Sequence, residues 1–180
     1  MIKLDFKIDE KELQPKYLKL IKPDRYICLV ITCFLMPVRF QIHGKDVFYN
    51  KKAPKFGHWF TMPLLDVVTM GLGHIEILPQ KKKTEWWLHE SGGKVHFKMM
   101  SGNKVKVTFT SHDEVFYVDY NELLQAFMNF RERVLKFLNE RVPQLQDHSY
   151  WGPWLKGEAH WEVDKGVCPG KKKVPRIKKI

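Results

Sequence analysis

The chain has 180 residues and a formal net charge of +11 at pH 7, a length that suits one domain and a charge that favours acidic partners. Its three cysteines, Cys28, Cys33 and Cys168, do not form a disulfide framework and favour reduced thiols in the cytoplasm. The longest apolar run, at 27–36, is shorter than the roughly 20 residues of a membrane helix, and residues 1–10 alternate in charge, unlike a signal peptide.

The N-terminal part of the chain is predicted to be mostly β-strand. Apolar and charged residues alternate from Ile2 to Asp9, and the same period of two returns from Val38 to Ile42. The apolar residues at 26–36 predict a buried central strand. A turn at 43–46 is expected to lead into a returning strand at 47–49.

Residues 59–69 fit two interpretations. Pro63 favours the first turn of a short helix that ends at Gly71 and Gly73, but the same apolar residues also fit a strand. Residues 79–83 are predicted to form a basic loop.

The middle of the chain predicts an antiparallel meander. Glycine-containing turns separate runs that alternate between apolar and polar residues. The predicted strands are Trp86–Glu90, Val95–Met100, Lys104–Thr110 and Val115–Val118.

One long amphipathic helix is predicted to follow the meander. Asp119 and Glu122 have the spacing of a capping box, and apolar residues then recur every three or four positions. Pro143 predicts the end of the helix at Val142. The fold class is therefore α+β, a mostly antiparallel sheet with one long helix in the C-terminal half packed on one face.

Residues 1–169 are predicted to form a single domain, followed by a basic tail at 170–180. Within this domain, the arm at 144–169 is expected to pack back on the body, because large rings are costly to leave in water. Its rings also suit a partner-binding surface, since interfaces favour Trp and Tyr. These residues are Tyr150, Trp151, Trp154 and Trp161.

The first hairpin of the meander predicts a second candidate surface. If Gly92 and Gly93 form the turn, His89 pairs with His96. The outward face then carries Trp87, His89, His96, Lys98, Lys104 and Lys106. A pair of histidines could hold a metal, but no acidic residue or cysteine is predicted on that face to complete a site. We therefore predict neither a metal nor a cofactor.

These features favour binding over catalysis. The chain lacks the G-x-S-x-G, H-E-x-x-H and glycine-rich phosphate-loop motifs, so we expect no enzymatic activity. The first functional hypothesis is a cytoplasmic module that binds another protein. The alternative is nucleic-acid binding by the basic and aromatic sheet face together with the tail, whose cations include Lys171, Lys172, Lys173 and Arg176. The tail shows no amphipathic pattern, so no membrane partner is expected.

An aromatic-rich meander followed by a long helix resembles the small bacterial immunity-type proteins that pair with secreted polymorphic toxins. The residues that support this are Glu85–Leu88, Val115–Tyr120 and the helix to Val142. The resemblance implies a non-catalytic inhibitor that occludes a single partner. Because this chain is basic, complementary potentials imply an acidic partner and not a basic nuclease.

Overall fold

A computed structural model of the protein describes residues 1–14, 18, 21, 34–49, 58–88, 93–110, 114–149, 151–156, 159–160 and 178–179. Most of the buried strand predicted at 26–36 lies outside the described residues, as do all three cysteines. The predicted α+β class is confirmed, with antiparallel sheets and one long helix in the C-terminal half.

The first sheet is built around one central strand. Its strands are β1 (Ile2–Phe6), β2 (Leu35–Ile42), β3 (Lys45–Asp46) and β4 (Phe60–Pro63). The central strand β2 pairs antiparallel with β1 on one side and with β3 and β4 on the other. The predicted period of two is confirmed, because four alternating side chains of β2 are fully buried: Met36, Val38, Phe40 and Ile42.

The turn after β2 is shorter than predicted. His43 and Gly44 both have positive φ, 51° and 80°, which is the geometry of a two-residue hairpin turn. Pairing therefore resumes at Lys45–Asp46, two residues before the predicted returning strand at 47–49.

The chain between the two sheets is mainly helical. It contains α1 (Leu64–Asp66), a π-helical turn (Val67–Gly71), α2 (Leu72–Glu76) and α3 (Leu78–Lys81). The predicted helix end at Gly71 and Gly73 is wrong. A Cβ on Gly71 would lie 3.2 Å from both Phe127 and Trp86, so the glycine permits close packing and does not end the helix. The loop predicted at 79–83 is also wrong. Most of these residues lie in α3, whose first turn tolerates a proline, and Lys83 already belongs to the next strand.

The second sheet is the predicted meander. It contains β5 (Lys83–Trp87), β6 (Lys94–Met99), β7 (Lys104–Phe109) and β8 (Val115–Asp119), paired antiparallel in that order. The predicted inner face is confirmed, since seven of its eight side chains are at most 3% exposed. These seven are Trp86, Leu88, Val95, Phe97, Val105, Val107 and Phe109; Met99 is half-buried.

The long helix α4 (Tyr120–Arg141) packs against both sheets. Asp119 is its N-cap, and the carboxylate accepts hydrogen bonds from the backbone N–H groups of Asn121 and Glu122 at 2.9 and 3.3 Å, as predicted. The ring centroid of Phe127 lies 5.6 Å from that of Phe40 in the first sheet and 6.1 Å from that of Trp86 in the second. The apolar face of α4 therefore joins the two sheets into one core.

After α4 the chain folds back on the body. A 3₁₀ helix (Pro143–Asp147) leads to α5 (Trp151–Leu155). Trp151 and Trp154 are buried and pack edge to face with ring centroids 5.4 Å apart, which confirms that these two rings pack on the body. The short strands β9 (Ala159–His160) and β10 (Lys178–Lys179) form an antiparallel pair.

Candidate interaction surface

The outward side of the second sheet collects basic and aromatic side chains, and we call it the outer face. Alternate residues of β5 to β8 form it, because successive side chains of a strand point to opposite sides of a sheet. One line straight across the four strands contains Lys83, Lys98, Lys106 and Tyr117, as the strand register shows. We call its three lysines the lysine row.

The backbone hydrogen bonds determine how close these lysines are. Met99 N–H donates to Lys82 O at 2.8 Å, so Lys83 and Lys98 form the neighbouring pair without hydrogen bonds, with Cα atoms about 4.5 Å apart. Met100 N–H donates to Lys104 O at 2.7 Å, so Lys98 and Lys106 are a hydrogen-bonded pair about 5.5 Å apart. Like charges directly opposite each other destabilise a sheet.

The lysine row forms no ion pair within the part of the chain that the structure describes. Within the described residues, none of its three ammonium groups lies within 4.0 Å of an acidic side chain. In the two flanking lines of the outer face, Glu85 lies 3.6 Å from Lys94 and 3.4 Å from His96, and Asp119 stands opposite Lys104 and caps α4. The row is therefore a concentrated patch of uncompensated positive charge.

The predicted register of the first hairpin is wrong. His96 pairs with Glu85, and not with His89, which lies outside the described residues. Leu88 N–H donates to Gly93 O at 2.9 Å, so the connection spans 89–92 and not 91–94. The shift along β5 is an even number of residues and leaves every side chain on its predicted face. Glu85 also contradicts the prediction that this face has no acidic residue.

Two large rings are exposed on the outer face. Trp87 is 57% exposed, and the Lys94 ammonium lies 3.7 Å from its ring centroid, in the geometry of a cation–π contact. Tyr117 is 56% exposed and ends the line that contains the lysine row. Sequence reasoning missed Tyr117 on this face, although the alternation with buried Phe116 and Val118 indicates its direction.

The structure brings some of the predicted site residues together and separates others. Those on the outer face are Trp87, His96, Lys98, Lys104 and Lys106. Trp151 and Trp154 lie in the core and offer no surface to a partner in this conformation. The remaining predicted residues, His89, Tyr150, Trp161, Lys171, Lys172, Lys173 and Arg176, lie outside the described residues.

Three broader observations complete the description of the site. Its helices include none with the length and apolar character needed to cross a bilayer. Within the same residues, no three histidine, cysteine or acidic side chains are grouped closely enough to hold a metal ion. Comparisons with protein families, with curated proteins and with solved structures found no match.

Proposed function

We propose that this protein is a non-catalytic cytoplasmic binding module whose outer face docks on an acidic surface of a partner protein. The resemblance to immunity-type proteins supports a finer form of the proposal, in which docking occludes and inhibits the partner.

The lysine row is the observation that carries this proposal. Three adjacent lysines with no carboxylate within 4.0 Å among the described residues cost folding stability, because like charges across a sheet repel each other. An acidic partner relieves that repulsion on binding and gains favourable electrostatic complementarity. The charge of the lysine row is thus unfavourable in the free protein and favourable in the complex.

The exposed rings add the apolar part of the contact. Trp87 and Tyr117 lie on opposite edge strands of the outer face, Tyr117 in the line of the lysine row and Trp87 four residues from Lys83 along β5. Aromatic residues of this kind dominate binding energy at protein interfaces. The lysines then act mainly on the association rate and on the choice of partner. Binding should therefore weaken as salt increases, since exposed charges are screened.

A charge-matched pair of variants tests the proposal. In the first, Lys83→Gln, Lys98→Gln and Lys106→Gln remove the lysine row. In the control, Lys11→Gln, Lys136→Gln and Lys156→Gln remove the same charge from exposed positions elsewhere. Partners captured from native lysate by the unmodified protein are purified, and their affinity for both variants is measured by calorimetry. We expect at least a tenfold loss for the first variant only, and equal affinities would contradict the proposal.

Nucleic-acid binding is the second candidate, and the position of Tyr117 favours it. This residue adds a second exposed ring to a basic sheet, and single-stranded nucleic acid is bound by rings that stack on bases and cations that meet phosphates. Fluorescence anisotropy with single-stranded oligonucleotides tests it. Loss of the lysine row should make the slope of log K against log salt about 2 units shallower, at roughly 0.7 per phosphate contact. If the protein does not bind these oligonucleotides at low salt, nucleic-acid binding is excluded.

A further inference from the structure

A separate groove lies at the β1 edge of the first sheet, where β1 faces α4. It has a volume of about 540 Å³, within the range of small-molecule sites. Its polar lining includes Lys3, Arg39, Gln41, Asn129 and Arg133, and the Trp59 ring also borders it. None of these residues belongs to the outer face of the second sheet.

Arg39 is held in a fixed orientation in this groove. Its Nε and Nη2 donate to the two carboxylate oxygens of Asp46 at 2.6 and 3.1 Å, and the Asp46 side chain is only 7% exposed. The Nδ1 atom of His58 also lies 2.6 Å from the Asp46 carboxylate. A guanidinium has five N–H donors, so the Nη1 group and one Nη2 donor remain for a ligand.

Asp46 stays ionised and can maintain this arrangement. Burial acts to raise the pKa of the Asp46 carboxyl, but hydrogen bonds from Arg39 and His58 outweigh that effect and hold the pKa below its ordinary value. The guanidinium is therefore pre-organised, which reduces the entropy lost when a ligand binds.

The other cations of the groove differ in how far they are already paired. Arg133 donates through Nη1 to the Asp5 carboxylate at 2.8 Å and through Nη2 to the backbone oxygen of Leu4. Lys3 has no carboxylate within 4.0 Å in the described residues. Of the three cations that line the groove, Arg39 and Arg133 are therefore paired with carboxylates, and Lys3 is the cation left without one in the described residues.

This difference in pairing selects the ligand class. Lys3 is the one lining cation without a carboxylate partner in the described residues, which suits a single carboxylate, whereas a phosphate dianion would need a second unpaired cation in the lining. Trp59 provides an apolar wall, and its ring is held by the Lys7 ammonium at 4.2 Å from the centroid. The Asn129 Oδ1 atom accepts from Gln125 Nε2 at 2.8 Å, which directs the amide group and leaves its N–H donors for other contacts.

We propose that this groove binds a small organic monocarboxylate, with its carboxylate held by Lys3 and Arg39 and its flat apolar part against Trp59. The site is independent of the proposed function, because the lysine row lies on the other sheet.

Chemical-shift titration of the full chain tests this site with three probes of similar shape. They are benzoate, its neutral analogue benzamide and the dianion phenyl phosphate. Benzoate should shift the Trp59 indole N–H and the backbone amides of Lys3 and Asn129 with saturation at millimolar concentration, at least tenfold below the concentration needed for benzamide. Equal binding of benzamide, unsaturable shifts, or tenfold tighter binding of phenyl phosphate would each overturn the proposal.

Three variants connect the shifts to the groove. Lys3→Gln removes the unpaired cation, and Ala126→Phe fills the space from its half-buried position on α4. Each should weaken benzoate binding at least tenfold, whereas Lys11→Gln, at an exposed lysine that does not line the groove, should leave it unchanged. Unchanged benzoate binding in both groove variants would also overturn the proposal.

Discussion

The two sheets use positive charge in opposite ways. On the first sheet, Arg39 is paired with the nearly buried Asp46, and Arg133 is paired with Asp5. On the second sheet, no ammonium group of the lysine row lies within 4.0 Å of a carboxylate among the described residues. Cations of similar number thus stabilise the protein in one region and cost stability in the other, and the difference is set by their neighbours.

The residue types follow the same division. Arginine has a planar group that binds a carboxylate through two hydrogen bonds, and it suits a fixed ion pair. Lysine is a flexible point charge that remains well hydrated, so it suits an exposed surface that meets a partner. Substitutions that break an ion pair at the first sheet, or create one in the lysine row, therefore test whether the comparison is correct.

The largest expected effect comes from breaking the paired region. Asp46→Ala removes the acceptor of Arg39 and His58, and leaves a partly buried guanidinium without its partner. We expect the free energy of unfolding to fall by about 2–3 kcal/mol, less than for a fully buried pair because Arg39 is partly exposed. Urea denaturation measures it. As the control, Asp5→Ala breaks an exposed pair and should cost less than about 1 kcal/mol; equal losses would contradict the comparison.

Acid should affect the two regions in different pH ranges. Beside β5, burial lowers the pKa of His74 below its ordinary 6.5, and the negative charges of Asp66 and Glu85 only partly oppose this. The unfolded chain therefore takes up this proton first, so stability that is present above pH 6.5 is lost as the pH falls towards the lower folded pKa. The stability that ionised Asp46 contributes is also lost as the pH falls, because the pKa of its carboxyl is lowered in the folded protein. This loss begins only near pH 3.8 and continues below it.

Urea denaturation between pH 7 and pH 5 separates these two contributions. His74→Leu keeps the buried volume and removes the titrating ring, so the fall in stability over this range should become shallower. As the control, Lys11→Gln, at an exposed position, should leave the slope in this range unchanged. An unaltered slope in His74→Leu would contradict the assignment.

A smaller effect is expected from creating pairs in the lysine row. Lys98→Glu places a carboxylate between Lys83 and Lys106 and should raise the free energy of unfolding by about 0.5–1 kcal/mol. The same change should abolish binding of an acidic partner. Urea denaturation and calorimetry test the two effects, and a loss of stability would show that the row does not strain the fold.

The smallest change in stability is expected at Trp87. The ring is mostly exposed, so Trp87→Ala should alter the free energy of unfolding by no more than about 0.5 kcal/mol. Partner affinity should fall at least tenfold if the ring is an interface anchor. Tyr117→Ala provides the matched test at the opposite edge strand, and unchanged affinity in both variants would restrict binding to the charges.

Sequence patterns predicted faces more reliably than boundaries and registers. Alternation shows which side chains of β2 and β6 are buried, because a buried face imposes a period of two. It does not show the length of a loop, and Gly92 and Gly93 fit several connections, so the His89–His96 pairing was wrong. The helix end predicted at Gly71 was wrong for a different reason. Helix termination and close packing both favour glycine, and only the positions of Phe127 and Trp86 distinguish them.

The candidate surfaces were predicted to different degrees. Trp87 and four of the basic residues were placed on one face from sequence, whereas Lys83 was assigned to a loop and Tyr117 was overlooked. The groove at the β1 edge could not be predicted, since it combines Lys3, Arg39, Trp59 and Asn129, which are distant in sequence. Their proximity depends on how β1 and α4 pack, which local patterns do not encode.

The position of α4 has a consequence for how the protein opens. Phe127 contacts a ring from each sheet, so neither sheet keeps a complete core once the helix leaves. Backbone amides in β2 and in β7 should therefore exchange their hydrogens through the same rare global event, at matching rates and with matching sensitivity to denaturant. A substitution such as Phe127→Ala should accelerate exchange in both strands together, although they belong to different sheets.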